Sequence, residues 1–193
     1  MQPSDRRPLL RPSVSKRLLY KFYLLTLPAQ GTRWFPLRRW LLNQMLGRKH
    51  SDLEIHANVY ITAWWNLRVG DRVTINRDCV LQCEGGLEIG DDTMIAHGCS
   101  LITSEHGQSL DRPMREQPIS LHPVSIGRDV WLGARVIVLG GSVLAEGCIG
   151  AAGAVIKGRF TEPGTIIAGV PAKVIRWRRD MSRKELPGRK KCD

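Results

Sequence analysis

The sequence predicts an all-β chain, a parallel β-helix of hexapeptide repeats, with a helical segment before it and a short basic tail after it. Three observations carry that expectation. Through the middle of the chain an aliphatic residue returns at every sixth position. Four places after most of these stands a Val, a Cys, or a small or hydroxylated residue. Neither the 3.6-residue period of a helix nor the alternation of a half-buried strand fits either series. The 193 residues are enough for one domain with a real core and too few for two of average size. Hydrophobic residues make up 42% and aromatics 6%, so the core is expected to be aliphatic and whole-chain disorder is excluded.

Residues 1–50 form the first element, a basic helical segment. Lys16 to Leu27 carries Leu18, Leu19, Phe22, Tyr23 and Leu25 at mixed helical spacing, with Pro28 after its end. A second helical run opens at Pro36 and continues to Met45 and Leu46, and Gly47 fits its C-terminal cap. Apolar and basic residues interleave in both runs. Two readings stand for them: an amphipathic anchor at a membrane surface, and a helical pair packed on the rest of the chain.

Residues 51–175 form the β-helix. The first array of inward aliphatics runs Val69, Ile75, Leu81, breaks at Glu84, Gly85 and Gly86, and resumes as Ile89, Ile95 and Leu101. The second runs Ile126, Leu132, Val138, Leu144, Gly150 and Ile156. The residues four places on are Val73, Cys79, Thr93, Cys99, Val130, Val136, Ser142, Cys148 and Ala154. One hexad makes a short strand and a turn, and three hexads make a triangular coil whose stacked neighbours bury a continuous core. Gly or Ala directly after the aliphatic (Gly70, Gly90, Ala96, Gly127, Gly133, Ala145, Ala151) is expected to permit the turn. Between the arrays, residues 104–123 are polar, lack the hexad and read as a loop thrown out of a rigid scaffold, a usual place for chemistry. Residues 176–193 form the basic C-terminal tail.

Charge is distributed unevenly along these elements. Residues 1–50 hold eleven Lys/Arg against one Asp, residues 176–193 hold eight against three acids, and the middle is mildly acidic. An anionic surface touched by the ends is expected. No zinc finger, recognition helix or stacking-aromatic motif accompanies the charge, so no nucleic-acid partner is expected. The longest uncharged apolar stretch, Phe22 to Gln30, falls far short of the ~20 residues that span a bilayer. The start of the chain lacks a secretory leader pattern, which points to the cytoplasm. The five cysteines, Cys79, Cys83, Cys99, Cys148 and Cys192, are scattered without a CxxC pair, so buried reduced thiols are expected and no metal is.

Two segments carry a resemblance. Val124-Ser-Ile-Gly-Arg-Asp-Val-Trp-Leu-Gly-Ala134 and Ala168-Gly-Val-Pro-Ala-Lys-Val-Ile-Arg176 resemble the hexapeptide-repeat acyltransferases. The closer likeness is to O-acetyltransferases of bacterial polysaccharide and lipopolysaccharide biosynthesis, including the colanic-acid type. Trp65-Asn-Leu-Arg-Val-Gly-Asp71 resembles their entry into the first coil. Ser109-Leu-Asp-Arg112 and Arg115-Glu-Gln117 resemble their loop. The likeness covers about residues 50–178.

The resemblance implies a left-handed winding, a homotrimer, and an active site in the groove between two prisms. It implies acetyl-CoA as acyl donor and a sugar or glycan hydroxyl as acceptor. Thr103-Ser-Glu-His106 matches the family's catalytic base, and imidazole suits the task because its neutral form takes a proton from a hydroxyl near pH 7. Direct transfer is expected, with no acyl-enzyme. Asn76 and Glu84 match acceptor contacts of maltose-type relatives, and Glu116 is a candidate for orienting His106 or binding acceptor hydroxyls. Ala134 and Ala152 match backbone contacts to the pantetheine arm. Lys157 or Arg159, with Lys173 and Arg176, match basic contacts to the nucleotide phosphates. Corner or surface roles compete at each of these positions. His97 reads as a corner or interface residue and His122 as positioning the loop. Trp131 precedes an inward Leu132 and is expected to face outward, on a groove wall or interface.

Three other functions compete. One is N-acetylation of an amino sugar. Another is a metal hydratase of γ-carbonic-anhydrase type, which the spacing of His97, His106 and His122 does not resemble. The third is a non-catalytic scaffold.

Overall fold

A computed structural model describes residues 12–178. Arg11, residues 1–10 and residues 179–193, including Cys192 and most of the basic tail, lie outside the described residues.

The chain folds as a left-handed parallel β-helix whose three faces are sheets of seven, five and five strands. Three columns of side chains fill the prism. Registered parallel pairing stacks Ile55, Ile75, Ile95, Leu132, Gly150 and Ile167 inside the first face. Ile61, Leu81, Leu101, Val138 and Ile156 stack inside the second. Val69, Ile89, Ile126, Leu144 and Phe160 stack inside the third. Every expected inward aliphatic is therefore inward. The nine residues expected four places after them are buried too. At Gly150 the missing side chain is replaced by Leu132, Ile156 and Val136, which crowd the space where a Cβ would stand.

Two details differ from the sequence expectation. Within the expected bounds 51–175, the inward array begins two strands before Val69, at Glu54–Ile55 and Tyr60–Thr62. Those strands were hidden because the 3₁₀ turn Trp64–Asn66 separates Ile61 from Val69 by eight residues instead of six. The second difference concerns the glycines after the aliphatics. They do not make the turns. At Gly127 a Cβ would lie 2.7 Å from the backbone nitrogen of Glu146 on the next coil, so at this coil the close approach leaves no room for a side chain. The turn falls two residues further on, where Arg72, Asp78, Asp92, Asp129 and Arg135 hold positive φ. Asp is among the few side-chain-bearing residues that adopt this region readily.

The helices are Val14–Leu25 (α1) and Phe35–Leu46 (α2). α1 begins two residues earlier than its sequence pattern implied, because the Ser13 side chain accepts a hydrogen bond from the Lys16 backbone N–H. It ends earlier too, where the Thr26 hydroxyl takes the Tyr23 carbonyl. Gly47 caps α2 in the left-handed conformation, as its position predicts. Of the two readings of this pair, packing on the chain is observed. Tyr23, Leu41, Leu42 and Met45 join the same core as the coils.

The contact also solves a problem of the solenoid. Its first coil exposes unpaired carbonyls along an open edge. Tyr20 donates to Ile61 O, Tyr23 to Val59 O, and the fully buried Arg38 to Ile55 O at 3.1 Å. Arg38 also ties down Thr26 O and Ala29 O at the end of α1. Burial raises the Tyr20 and Tyr23 hydroxyls well above the ordinary tyrosine range, which keeps them as donors. At the other end the antiparallel pair Thr165–Gly169 and Ala172–Trp177 continues the first face.

Candidate active site

The expected loop is partly ordered as a β-hairpin. At its neck, the corner between the second and third faces, buried Thr103 accepts from Gly85 N and donates to Gln82 O through its hydroxyl. Its carbonyl accepts from the His122 backbone N–H at 2.8 Å, which closes the neck of the hairpin. Ser104–His106 then pairs antiparallel with Ile119–Leu121, with His106 opposite Ile119. A strand pair is stiffer than a coil loop, so His106 is held at a fixed distance from the prism. Its ring is exposed and makes no hydrogen bond among the described residues.

Two residues that sequence reasoning overlooked organise this hairpin. Gln117 is buried in the loop. It accepts from Ser109 N and donates to Ser109 O and Arg112 O. Gly107, next to His106, lies so close that any Cβ there would meet the Gln117 side chain at 2.6 Å. Glu105 pairs with Lys157 at 2.6 Å and so ties the hairpin back to the coil. The ammonium holds the Glu105 carboxyl below the usual carboxylate range.

The remaining candidates fall at different places on the prism. Glu84 shares the corner of the hairpin. One of its carboxylate oxygens is buried without a hydrogen-bond partner. Glu116 is exposed in the turn Met114–Glu116 and forms no hydrogen bond with His106. Asn76 lies at the preceding corner, between the first and second faces, together with His97. Both line an open cavity of about 340 Å³ with Gln30, His56 and Arg77. His56 rests against Phe35 at 4.5 Å, and its burial lowers its pKa. Asn76 and His106 thus occupy successive corners of one chain, on either side of the strand Val80–Gln82, and Asn76 and Glu84 are likewise apart.

Ala134 and Ala152 stand in one column at the Asn76 corner, above His97. Adjacent backbones are in contact there, with Gly153 N donating to Ala134 O at 2.9 Å. Such a column of small residues leaves room for a slender chain along the edge. Lys157 and Arg159 flank the next corner on either side of Gly158. Lys173 and Arg176 lie on the strand Ala172–Trp177, opposite Ala168 and Ile166. Trp131 is exposed, as expected, and pairs in register with the exposed Met94. Cys79, Cys83, Cys99 and Cys148 are buried free thiols. Among the described residues no three His, Cys, Asp or Glu side chains are placed to hold a metal ion.

Comparison with known proteins places this geometry. No family model matches the chain. A probable acetyltransferase of Mycobacterium tuberculosis is 31% identical over 177 residues, 76% of this chain. The chain spans 59% of that relative's length. A putative colanic acid biosynthesis acetyltransferase of Escherichia coli K12 is 32% identical over 152 residues, covering 75% of this chain and 80% of that protein. Among solved structures, a maltose O-acetyltransferase from Clostridium difficile matches with a TM-score of 0.74 at 24% identity, over 89% of each chain. A hexapeptide-repeat acetyltransferase from Vibrio cholerae complexed with acetyl coenzyme A matches with a TM-score of 0.73 at 23% identity, over 86% of this chain and 88% of that one.

Proposed function

We propose that this chain, a member of the hexapeptide-repeat acetyltransferase family, moves an acetyl group from acetyl-CoA to a hydroxyl of a sugar or lipid-linked glycan. The observation that carries the reading is the hairpin that holds His106 away from the prism, its imidazole exposed and uncommitted. His106 takes the proton of the acceptor hydroxyl while that oxygen attacks the thioester carbonyl, then gives it to the departing thiolate. The products are an acetyl ester and free CoA, and no bond to the protein is made. The colanic-acid relative supports a polysaccharide acceptor. Asn76, Glu84 and Glu116 are the acceptor-side candidates.

The column of Ala134 and Ala152 suits a pantetheine arm lying flat on the coil. Arg159, Lys173 and Arg176 are available to the CoA phosphates, whereas Lys157 is occupied by Glu105. Asn76 and His106 stand at different corners, so a homotrimer that sets one corner against the next chain's hairpin would join them. The exposed Met94 and Trp131 fit such an interface. The reading places the protein in the cytoplasm, in peripheral contact with the inner membrane face. No helix among the described residues is long and apolar enough to cross a membrane.

Calorimetric titration with acetyl-CoA and with dephospho-CoA, followed by thiol release with glycan acceptors, tests the proposal. One site per chain is expected, weaker without the 3′-phosphate. His106→Ala should lower turnover about 10²–10⁴-fold and leave CoA binding intact. No CoA binding, or full turnover by His106→Ala, would sink it.

A further inference from the structure

We infer that the outward face of α1 is a docking surface for an anionic lipid bilayer. α1 is apolar on two opposite sides. One side holds Tyr20 and Tyr23 and packs on the first coil. The other holds Val14, Leu18, Phe22 and Leu25, which are 81%, 54%, 53% and 75% exposed. At about 100° per residue these four fall within about 80° of arc, opposite Tyr23. A helix that only covers a coil needs one apolar stripe, with polar residues on its outer side. Among the described residues this second stripe has no partner.

The flank of the stripe says what would cover it. Arg17 and Lys21 are exposed along one edge. Residues 12–50 contain eight Lys/Arg and no Asp or Glu; of these Arg38 is buried, and Arg39 and Arg48 pair with Asp52 and Asp71. On α2 the side turned from the coil carries the exposed Leu37 and Trp40, and Arg33 stands exposed just before that helix. A protein partner would meet the cationic rim of Arg17, Lys21 and Arg33, none of which pairs with an acid among the described residues. An anionic headgroup layer matches that rim, and acyl chains match the apolar stripe. The depth suits an interfacial helix, because α1 is 12 residues long and lies on the solenoid by its other side. The sequence alone left membrane contact and coil packing as rival readings. The structure gives one side of the same helix to each.

The test is co-sedimentation of the full chain with phosphatidylcholine vesicles and with vesicles carrying about 30% phosphatidylglycerol, an anionic surface. Binding is expected only to the anionic vesicles, and it should fall steeply as salt is raised. The double variant Leu18→Ser with Phe22→Ser, at exposed sites, should weaken it at least about tenfold with an unchanged melting temperature. Arg17→Glu with Lys21→Glu should weaken it independently. The inference is overturned if the wild-type chain does not sediment with the anionic vesicles. Wild-type-like binding by the Ser variant would also overturn it, since the terminal basic segments would then be responsible. So would a change in solution mass caused by that variant, since a second copy of the chain would then cover the stripe. Acetyl transfer enters none of these readings.

Discussion

His106 is a candidate through the family resemblance of Thr103-Ser-Glu-His106, and the structure sets its ring exposed on the hairpin. What surrounds it was not legible in the sequence. Glu105 carries no reading of its own in the sequence, and Lys157 is there one of two candidates, with Arg159, for a CoA contact. The structure pairs them across 52 positions of sequence, a distance at which spacing carries no signal. Exposed ion pairs contribute about 0.2–1 kcal/mol, so losing this one should loosen the hairpin without unfolding anything. Lys157→Ala and Glu105→Ala are each expected to lower kcat by no more than about fivefold. The KM for acetyl-CoA should not change, and the double variant should be no worse than either single one. Steady-state kinetics decide the matter. A raised KM confined to Lys157→Ala would return that residue to the CoA phosphates.

Among elements, the coil was the most legible and its turn chemistry the least. The six-residue period names the inward column because burial acts on side chains one at a time. Coil-to-coil contact acts between backbones about 18 residues apart, and a reader of one hexad cannot see it. The glycine after the aliphatic therefore looked like a turn residue when it is a spacer. The two kinds of glycine should respond differently to a methyl group. At Gly127 an added Cβ meets the Glu146 nitrogen at 2.7 Å and the Ala145 carbonyl carbon at 2.8 Å, and backbone cannot swing away. Gly127→Ala is expected to cost at least the ~1–3 kcal/mol typical of overpacking, at the upper end or beyond. Gly141 has φ +84° and open space around it, so Gly141→Ala costs only the ~1–2 kcal/mol of left-handed strain. Urea unfolding should rank Gly127→Ala as the more destabilised. The reverse order would mean that the stacked coils can part locally. Arg38 shows the same blindness on α2. In the sequence it is one more charge in a basic helix, and only the open edge of the first coil explains its complete burial.

For the whole molecule, the triangular section decides how a site can be assembled. Consecutive corners are separated by a strand of two or three residues whose inward side chains are packed, so nothing at one corner reaches the next through the prism. The hairpin with His106 leaves from one corner. The cavity with Asn76, His56 and His97 opens at the corner before it. On the proposed function a single chain carries two halves of a site facing different ways, and closed threefold symmetry is the simplest arrangement that would pair each half with its complement. This has a quantitative consequence. His106→Ala and Asn76→Ala chains should each be impaired alone. In mixed oligomers formed by co-expression at equal levels, a site works when it draws its histidine from an Asn76→Ala chain and its asparagine from a His106→Ala chain. Random assembly gives that combination in about one site in four. Recovery of roughly a quarter of wild-type turnover in the mixture is the expected outcome. No recovery, with both variants folded and of unchanged mass, would mean that each chain completes its own site. The Asn76 corner would then have to serve something other than the acceptor.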